Sequence, residues 1–179
     1  MIYFTADLHF GHENIIKSCN RPFETVAEMD DVLMRNWNAV VNKRDEVYIL
    51  GDFTMGTAGI ANDYLSALKG RKYFIRGNHD KFLNNIDKHG EHFEWVKDYF
   101  VLKYHGKKFV LFHYPIAEWD GFWRGAIHLY GHIHNSSASN NWFDDSSLAF
   151  NVGVDCNDFR PVSIEDIIRR ADTKTTAIR

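Results

Sequence analysis

Five stretches of this chain gather the groups that could do chemistry: Asp7-Leu8-His9, Gly51-Asp52, Gly77-Asn78-His79-Asp80, the single His113, and Gly131-His132-Ile133-His134. Carboxylate, imidazole and amide oxygen make a mixed N/O donor set, which suits Mn²⁺, Fe, Zn²⁺ or Ni²⁺ and offers no thiolate to select a soft ion. In DxH and GHxH the paired side chains are two residues apart, and in an extended segment that spacing points them to one side. There are more donors than one tetrahedral ion needs. Two ions ~3.5–4 Å apart, sharing a carboxylate, would use them and would clamp the attacking and leaving oxygens of an in-line displacement at phosphorus. Standing alone, NHD would also read as a polar turn.

The elements that must position these groups are legible around them. Short β-branched or aromatic runs at 2–7, 46–52, 72–77, 108–113, 126–132 and 148–155 predict strands, most of them ending in Gly, His or Asp. Tyr99 to Tyr104 can pair with 108–113 through a His105-Gly106 turn, because glycine and sometimes histidine tolerate positive φ. Residues 25–41 place Val26, Met29, Leu33, Trp37 and Val40 on one helical face, with Thr25 and Glu28 as a capping box. Further helices are predicted from Thr57 to Lys69, carrying Ile60, Tyr64, Leu65 and Leu68, after Lys81 with Phe82, Leu83 and Ile86, and over 163–170 with Ser163 as cap. Strands alternating with helices early, and strands crowding late, predict a mixed sheet system with helices outside. In such an arrangement groups at the carboxyl ends of neighbouring strands converge on one rim.

At 179 residues and 45% hydrophobic, the chain predicts one domain over 1–170 with a sizeable core, and a Thr-rich, flexible C-terminal tail over 171–179. A net charge of −3 and the lack of any long run of Lys and Arg argue against long-duplex nucleic acid as a partner. Two cysteines, Cys19 and Cys156, make neither a disulfide framework nor a CxxC zinc site. No apolar stretch approaches the ~20 residues needed to span a bilayer, so no membrane partner is expected, and a cytoplasmic location is.

The ordered set DxH, GD, GNHD, H, GHxH resembles that of the calcineurin-like metallophosphoesterase superfamily, and it extends from Asp7 to His134. The resemblance implies a four-layer α/β/β/α sandwich of two mixed β-sheets flanked by helices, with a dinuclear centre at the strand ends. It implies one metal held by Asp7, His9 and His134, a second by Asn78, His113 and His132, and Asp52 as the bridge. His79 would stabilise the transition state or protonate the leaving oxygen, with Asp80 orienting its ring, while a hydroxide shared by the two ions attacks in line. The cofactors implied are two divalent ions, with Mn favoured.

Protein serine/threonine phosphatases of that superfamily carry GDxxDRG and GNHE, whose arginine helps bind a doubly charged monoester, whereas this chain has GDFTMG and GNHD. The expected activity is therefore phosphodiesterase, on a small substrate such as a nucleotide or short oligonucleotide. A phosphomonoesterase is the alternative, and a non-catalytic metal-binding scaffold is the reading from another class. Candidate substrate contacts are His12 and Asn14 beside DxH, Arg21 as a bidentate phosphate donor, and Trp119, Trp123 and Arg124 in the aromatic segment 114–125. That segment is also the candidate contact for an oligomer.

Overall fold

A computed structural model describes residues 1–88, 91–136, 143 and 147–177 of the chain, without the side chains of 85–88 and 177. His89, most of the polar 134–147 segment and the side chain of Ile86 lie outside what it describes. Two mixed sheets, flanked by helices, make up the fold. The first has the order β4-β3-β2-β1-β9, with β1 (Ile2–Thr5), β2 (Glu46–Ile49), β3 (Arg71–Ile75) and β4 (Phe93–Lys97) parallel and β9 (Val162–Ser163) antiparallel to β1. The second has the order β5-β6-β7-β8, from β5 (Tyr99–Tyr104), β6 (Lys107–Phe112), β7 (Ile127–Tyr130) and β8 (Ala149–Asn151). The hairpin of β5 and β6 turns at His105 and Gly106, both at positive φ (47° and 76°), as the sequence predicts.

β2 shows why the first sheet lies inside the molecule. Val47 and Ile49 point to one apolar cluster and Tyr48 to another, so both faces are covered and the strand reads as a continuous apolar run. The outer cluster packs the sheet against α2 (Val26–Val40) and α3 (Ala58–Ala67), with Leu33, Trp37 and Leu65 at its centre. The inner cluster fills the space between the sheets with Phe4, Leu50, Phe109, Leu111 and Leu129, and α4 (Ile164–Ala177) joins it through Ile167 and Ala171. A third cluster, containing Val110, Trp119 and Tyr130, packs the segment that follows β6 onto the second sheet.

Local signals act as read at the start of α2: the Thr25 hydroxyl accepts the Glu28 N–H at 3.2 Å. The Glu28 carboxylate turns back to the N–H of Glu24, one residue before the expected partner. In α3 Ile60 is 41% exposed and Ala61 takes the core position instead. Two strands escape sequence reading: β4, and β9, which is only two residues long. The helix predicted over 163–170 runs further, because α4 continues to Ala177. The hydroxyls of Thr173, Thr175 and Thr176 accommodate this by donating to the carbonyls four residues back (2.8–3.0 Å), and Lys174 reaches Ser147 O at 2.9 Å. Among the described residues no helix is long and apolar enough to cross a membrane.

Trp37 is fully buried, and its indole N–H donates to Lys69 O at 2.9 Å, which ties α2 to the end of the α3 segment. Trp37→Ala should cost about 3–5 kcal/mol, measured as a lower urea midpoint at unchanged slope. A loss below ~1 kcal/mol would show that the α2–sheet packing does not depend on the indole.

Candidate metal centre

The loops after β1, β2, β3, β6 and β7 meet at one rim. Main-chain bonds hold the first two together: Asp7 N–H donates to Gly51 O, His9 N–H to Asp52 O and Phe10 N–H to Phe53 O, all at 2.9–3.0 Å. Asp7, His9, Asp52, His132 and His134 sit at φ between 49° and 70°. Non-glycine residues adopt this left-handed region at a cost, and its concentration here marks a tightly folded site. The expectation that DxH and GHxH are extended is therefore corrected: each motif bends sharply, and the side chains still converge.

They converge as two groups. Ligand atoms of Asp7, His9 and His134 lie within 4.8 Å of one another, and so do those of Asp52, His113 and His132. One oxygen of Asp52 faces both, 3.6 Å from His9 Nε2 and 3.6 Å from His113 Nε2. The Asn78 amide oxygen lies 3.0 Å from His113 Nε2. The carboxylate oxygens of Asp7 both accept the His132 N–H (3.0 and 2.9 Å), which joins the two groups through the main chain. Gly131 permits this approach, since a Cβ there would sit 2.5 Å from Ala6 Cβ and 2.7 Å from an Asp7 oxygen.

The donors fit a cation. His9 is 2% exposed, and neither ring nitrogen has a hydrogen-bond partner in the structure, an arrangement that is costly unless something else uses the lone pair. Burial, reinforced by the neighbouring His134, lowers its pKa to about 2, so the ring is neutral as a ligand must be. His113 Nδ1 lies 2.7 Å from Leu50 O, which can only accept; Nδ1 therefore carries the proton and Nε2 turns a lone pair toward Asn78 and Asp52. Burial also lowers the His113 pKa. Asp7, completely buried, is lifted to about 7 by desolvation, with Asp52 and Asp155 adding to the rise.

His134 is held in place by Asp155, and Asp155 in turn by Arg21. Its Nδ1 lies 2.8 Å from Asp155, and Asp155 also receives a bidentate pair from Arg21 Nε (2.8 Å) and Nη2 (2.9 Å). Burial alone would lower the His134 pKa, but the Asp155 bond, the Cys19 thiol and the charges of Asp7 and Asp155 raise it to about 10. Cys19 forms a third compact group with His134 and Asp155, so a thiol stands closer to the site than its sequence position suggests.

Several expectations about neighbouring residues are revised. Arg21 is 5% exposed and its remaining N–H groups reach the carbonyls of Leu8 and Asp7, so it braces the site and is withdrawn from substrate. Asp80 does not orient the His79 ring; its oxygens are taken by the main-chain N–H groups of Asp52, Phe53 and Gly77 at 2.7–2.9 Å. His79 donates its main-chain N–H to Asp52 at 2.9 Å and sets its ring edge-on to His9, with centroids 5.6 Å apart. His12 is half-buried, 5.5 Å from the His9 ring, with a buried and unpartnered Nδ1, whereas Asn14 is exposed in α1 (Glu13–Ser18). Trp119 is 6% exposed and bonded to Ala126 O, a core residue; Trp123 and Arg124 are exposed.

The chain matches the calcineurin-like phosphoesterase superfamily domain over residues 2–164. The protein MJ1445 of Methanocaldococcus jannaschii is 40% identical over 171 residues, spanning 94% of this chain and 89% of that protein. The solved structure of AQ665 from Aquifex aeolicus superposes with a TM-score of 0.77 at 30% identity, covering 94% of this chain and 98% of the other. The gene 66 protein of Mycobacterium phage L5 is 43% identical over 81 residues, 44% of this chain and 39% of its own length.

Two measurements test this geometry. Asp155→Asn should weaken Mn²⁺ binding at the Asp7, His9 and His134 group by roughly 10–100-fold in titration calorimetry, and unchanged affinity would mean that Asp155 serves Arg21 alone. The second concerns pH. Above about pH 7.5 the lowered His9, His12, His113, His128 and His132 are neutral in both states, while His134, raised to about 10, still holds a proton in the folded protein that the unfolded chain has lost. Stability must then fall as pH rises. The melting temperature of chelator-treated protein should drop from about pH 7.5 to 8.5, and saturating Mn²⁺ should flatten that drop; a rise in the metal-free protein would contradict the assignment.

Proposed function

We propose, for a chain that belongs to the calcineurin-like phosphoesterase superfamily, a metal-dependent hydrolase with two divalent ions that acts on a small phosphodiester. In this reading Asp7, His9 and His134 hold one ion, Asn78, His113 and His132 the other, and Asp52 stands between them. The N/O donor set suits Mn²⁺. Bound there, the ions would supply positive charge that acidifies water and neutralises phosphoryl oxygens.

The chain's own residues do the rest. Asp80 and Asp7 fix the loops through main-chain N–H groups, so that donors from five segments keep their places without substrate. The Arg21–Asp155 pair keeps a proton on His134 Nδ1, and an ion would take Nε2 in place of the second proton. His79, held through its main-chain N–H to Asp52, gives a proton to the departing oxygen.

The observation that carries the preference for a diester is the state of Arg21. A doubly charged monoester calls for a guanidinium in the cleft, and this one is buried and fully engaged with Asp155 and two carbonyls. Arg124 is paired with Asp120 at 3.6 Å on the exposed segment. A singly charged diester makes no such demand.

With Mn²⁺, bis-p-nitrophenyl phosphate should be hydrolysed well above p-nitrophenyl phosphate, and EDTA should abolish both. Faster monoester cleavage would overturn the diester reading, and a metal-loaded protein inert toward both would favour a binding scaffold. His79→Ala should retain its metal, by elemental analysis, while losing on the order of 10²–10⁴ in kcat. Normal turnover in that variant would remove His79 from the proton transfer.

A further inference from the structure

The ring of His9 is bordered by three other imidazoles, and one of them shares its group of ligand atoms. His134 stacks on it at 5.2 Å and belongs to that group, whereas His12 and His79 stand 5.5 and 5.6 Å away and, among the described residues, belong to none of the ligand groups. His12 is thus against the centre without being a donor of it. Its Nδ1 is buried and has no partner among the described residues, while the ring as a whole is half-buried, so Nε2 lies at the open edge. An N–H enclosed without an acceptor is costly, so the neutral ring keeps its hydrogen on Nε2. Burial lowers the His12 pKa, and among the charges that add to this His79 acts most strongly, so the two rings outside the ligand groups are near neighbours.

The fold fixes this ring firmly and gives it nothing to bind. His12 occupies the N-cap position of α1, where a side chain normally accepts a main-chain N–H, yet it makes no such bond. Its own main-chain N–H donates to His9 O at 3.1 Å and closes a tight turn on the DxH motif. Gly11, at φ 72°, donates its N–H to both oxygens of Asp30 (3.2 and 3.1 Å), and Asp30, itself buried, also accepts the Tyr64 hydroxyl at 2.6 Å. Phe10 is held on the other side, its N–H on Phe53 O (2.9 Å) and its carbonyl under the Thr54 hydroxyl (2.7 Å). The turn that presents His12 is therefore clamped to α2 and to the loop that carries Asp52. A side chain placed this exactly, which caps no helix and leaves a polar edge open, fits a partner that arrives from solvent. Beside a cluster of cation donors that partner is an anion, and phosphoryl oxygens, which only accept, match an N–H.

We propose that His12 is a further substrate-contacting residue, whose Nε2–H donates to a phosphoryl oxygen on the His9 side of the centre. The inference rests on the proposed hydrolase reading only for the presence of a phosphoryl group there. Mn²⁺-loaded protein would be titrated calorimetrically with inorganic phosphate, with the Mn²⁺ affinity measured in parallel. His12→Ala should weaken phosphate binding about 10–100-fold, the scale of one hydrogen bond to a charged acceptor, while Mn²⁺ binds as before. His12→Gln, whose amide nitrogen reaches the position of Nε2, should recover most of that loss; His12→Asn, which reaches only that of Nδ1, should not. Because the side chain caps nothing, all three variants will fold. Unchanged phosphate affinity in His12→Ala overturns the proposal. So does a parallel loss of Mn²⁺, which would make His12 a support for the His9 ring, and so does full recovery by His12→Asn, which would move the donor to Nδ1. Phosphate affinity that depends on His12 in a protein inert toward both nitrophenyl esters would keep the contact and sink the hydrolase reading; hydrolysis of bis-p-nitrophenyl phosphate with phosphate affinity unmoved by His12→Ala would do the reverse.

Discussion

Both oxygens of the wholly buried Asp7 carboxylate accept one main-chain N–H, that of His132, and this contact fastens the end of the first sheet to the end of the second. Burying a carboxylate is expensive, and here desolvation outweighs the neighbouring His134 and the His132 N–H, which is why its pKa is lifted to about 7. The same expense recurs at Asp80, also lifted to about 7 and surrounded by three N–H groups from two loops. The rim is thus organised by anions that the main chain only partly compensates. The donor groups gathered around them, the unpartnered ring of His9 included, fit a cation.

Around this centre the fold commits its polar residues to one another before any substrate arrives. Arg21 comes from the loop before α2 and Asp155 from the turn after β8, and their bidentate pair joins segments 134 residues apart in sequence. With His134 as the third member, the hydrogen bonds of a buried guanidinium, a buried carboxylate and an imidazole are mutually satisfied. Removing one member would leave its partners charged and buried, so the triad stabilises the site as a unit. Its arginine is thereby unavailable to a phosphate, and a feature of the supporting structure bears directly on the charge of the substrate.

What could be read from the sequence follows a physical division. Asp, His and Asn after apolar runs are unusual enough to be seen, and strands such as β2 and β6 carry their own signal because both faces are buried. The donors Asp7, His9, Asp52, Asn78, His113, His132 and His134 therefore appear in the sequence as a set. What depends on partners in space does not. Arg21 looks like a phosphate donor until Asp155 is beside it, and Asp80 looks like the orienter of its neighbour His79 until three main-chain N–H groups take both its oxygens. Trp119 looks like a stacking residue until Ala126 O receives its indole N–H. β9 has two residues and no periodicity to detect. The tail of α4 misleads for a different reason: threonines disfavour helices on average, yet here each of three hydroxyls bonds back to the preceding turn.

The two sides of the molecule are finished differently, and the difference has consequences for the site. The first sheet is closed by α2 and α3, whose apolar faces pack onto it, while Asp30 of α2, bonded by Tyr64 of α3, accepts the Gly11 N–H of the loop after β1. On the second, the covering segment leaves the sheet directly after His113 and returns to it at β7, whose end carries His132, so its ends are tied to two residues of the candidate centre. Tyr114 stands at that junction, against both histidines on one side and Phe112 on the other. A change in how the segment sits would be felt through Tyr114 at both rings, because close-packed aromatic contacts transmit displacement. Rigidity at Trp119 and exposure at Trp123 are then complementary: the first holds the donors in place, and the second presents a face to solvent without loosening them.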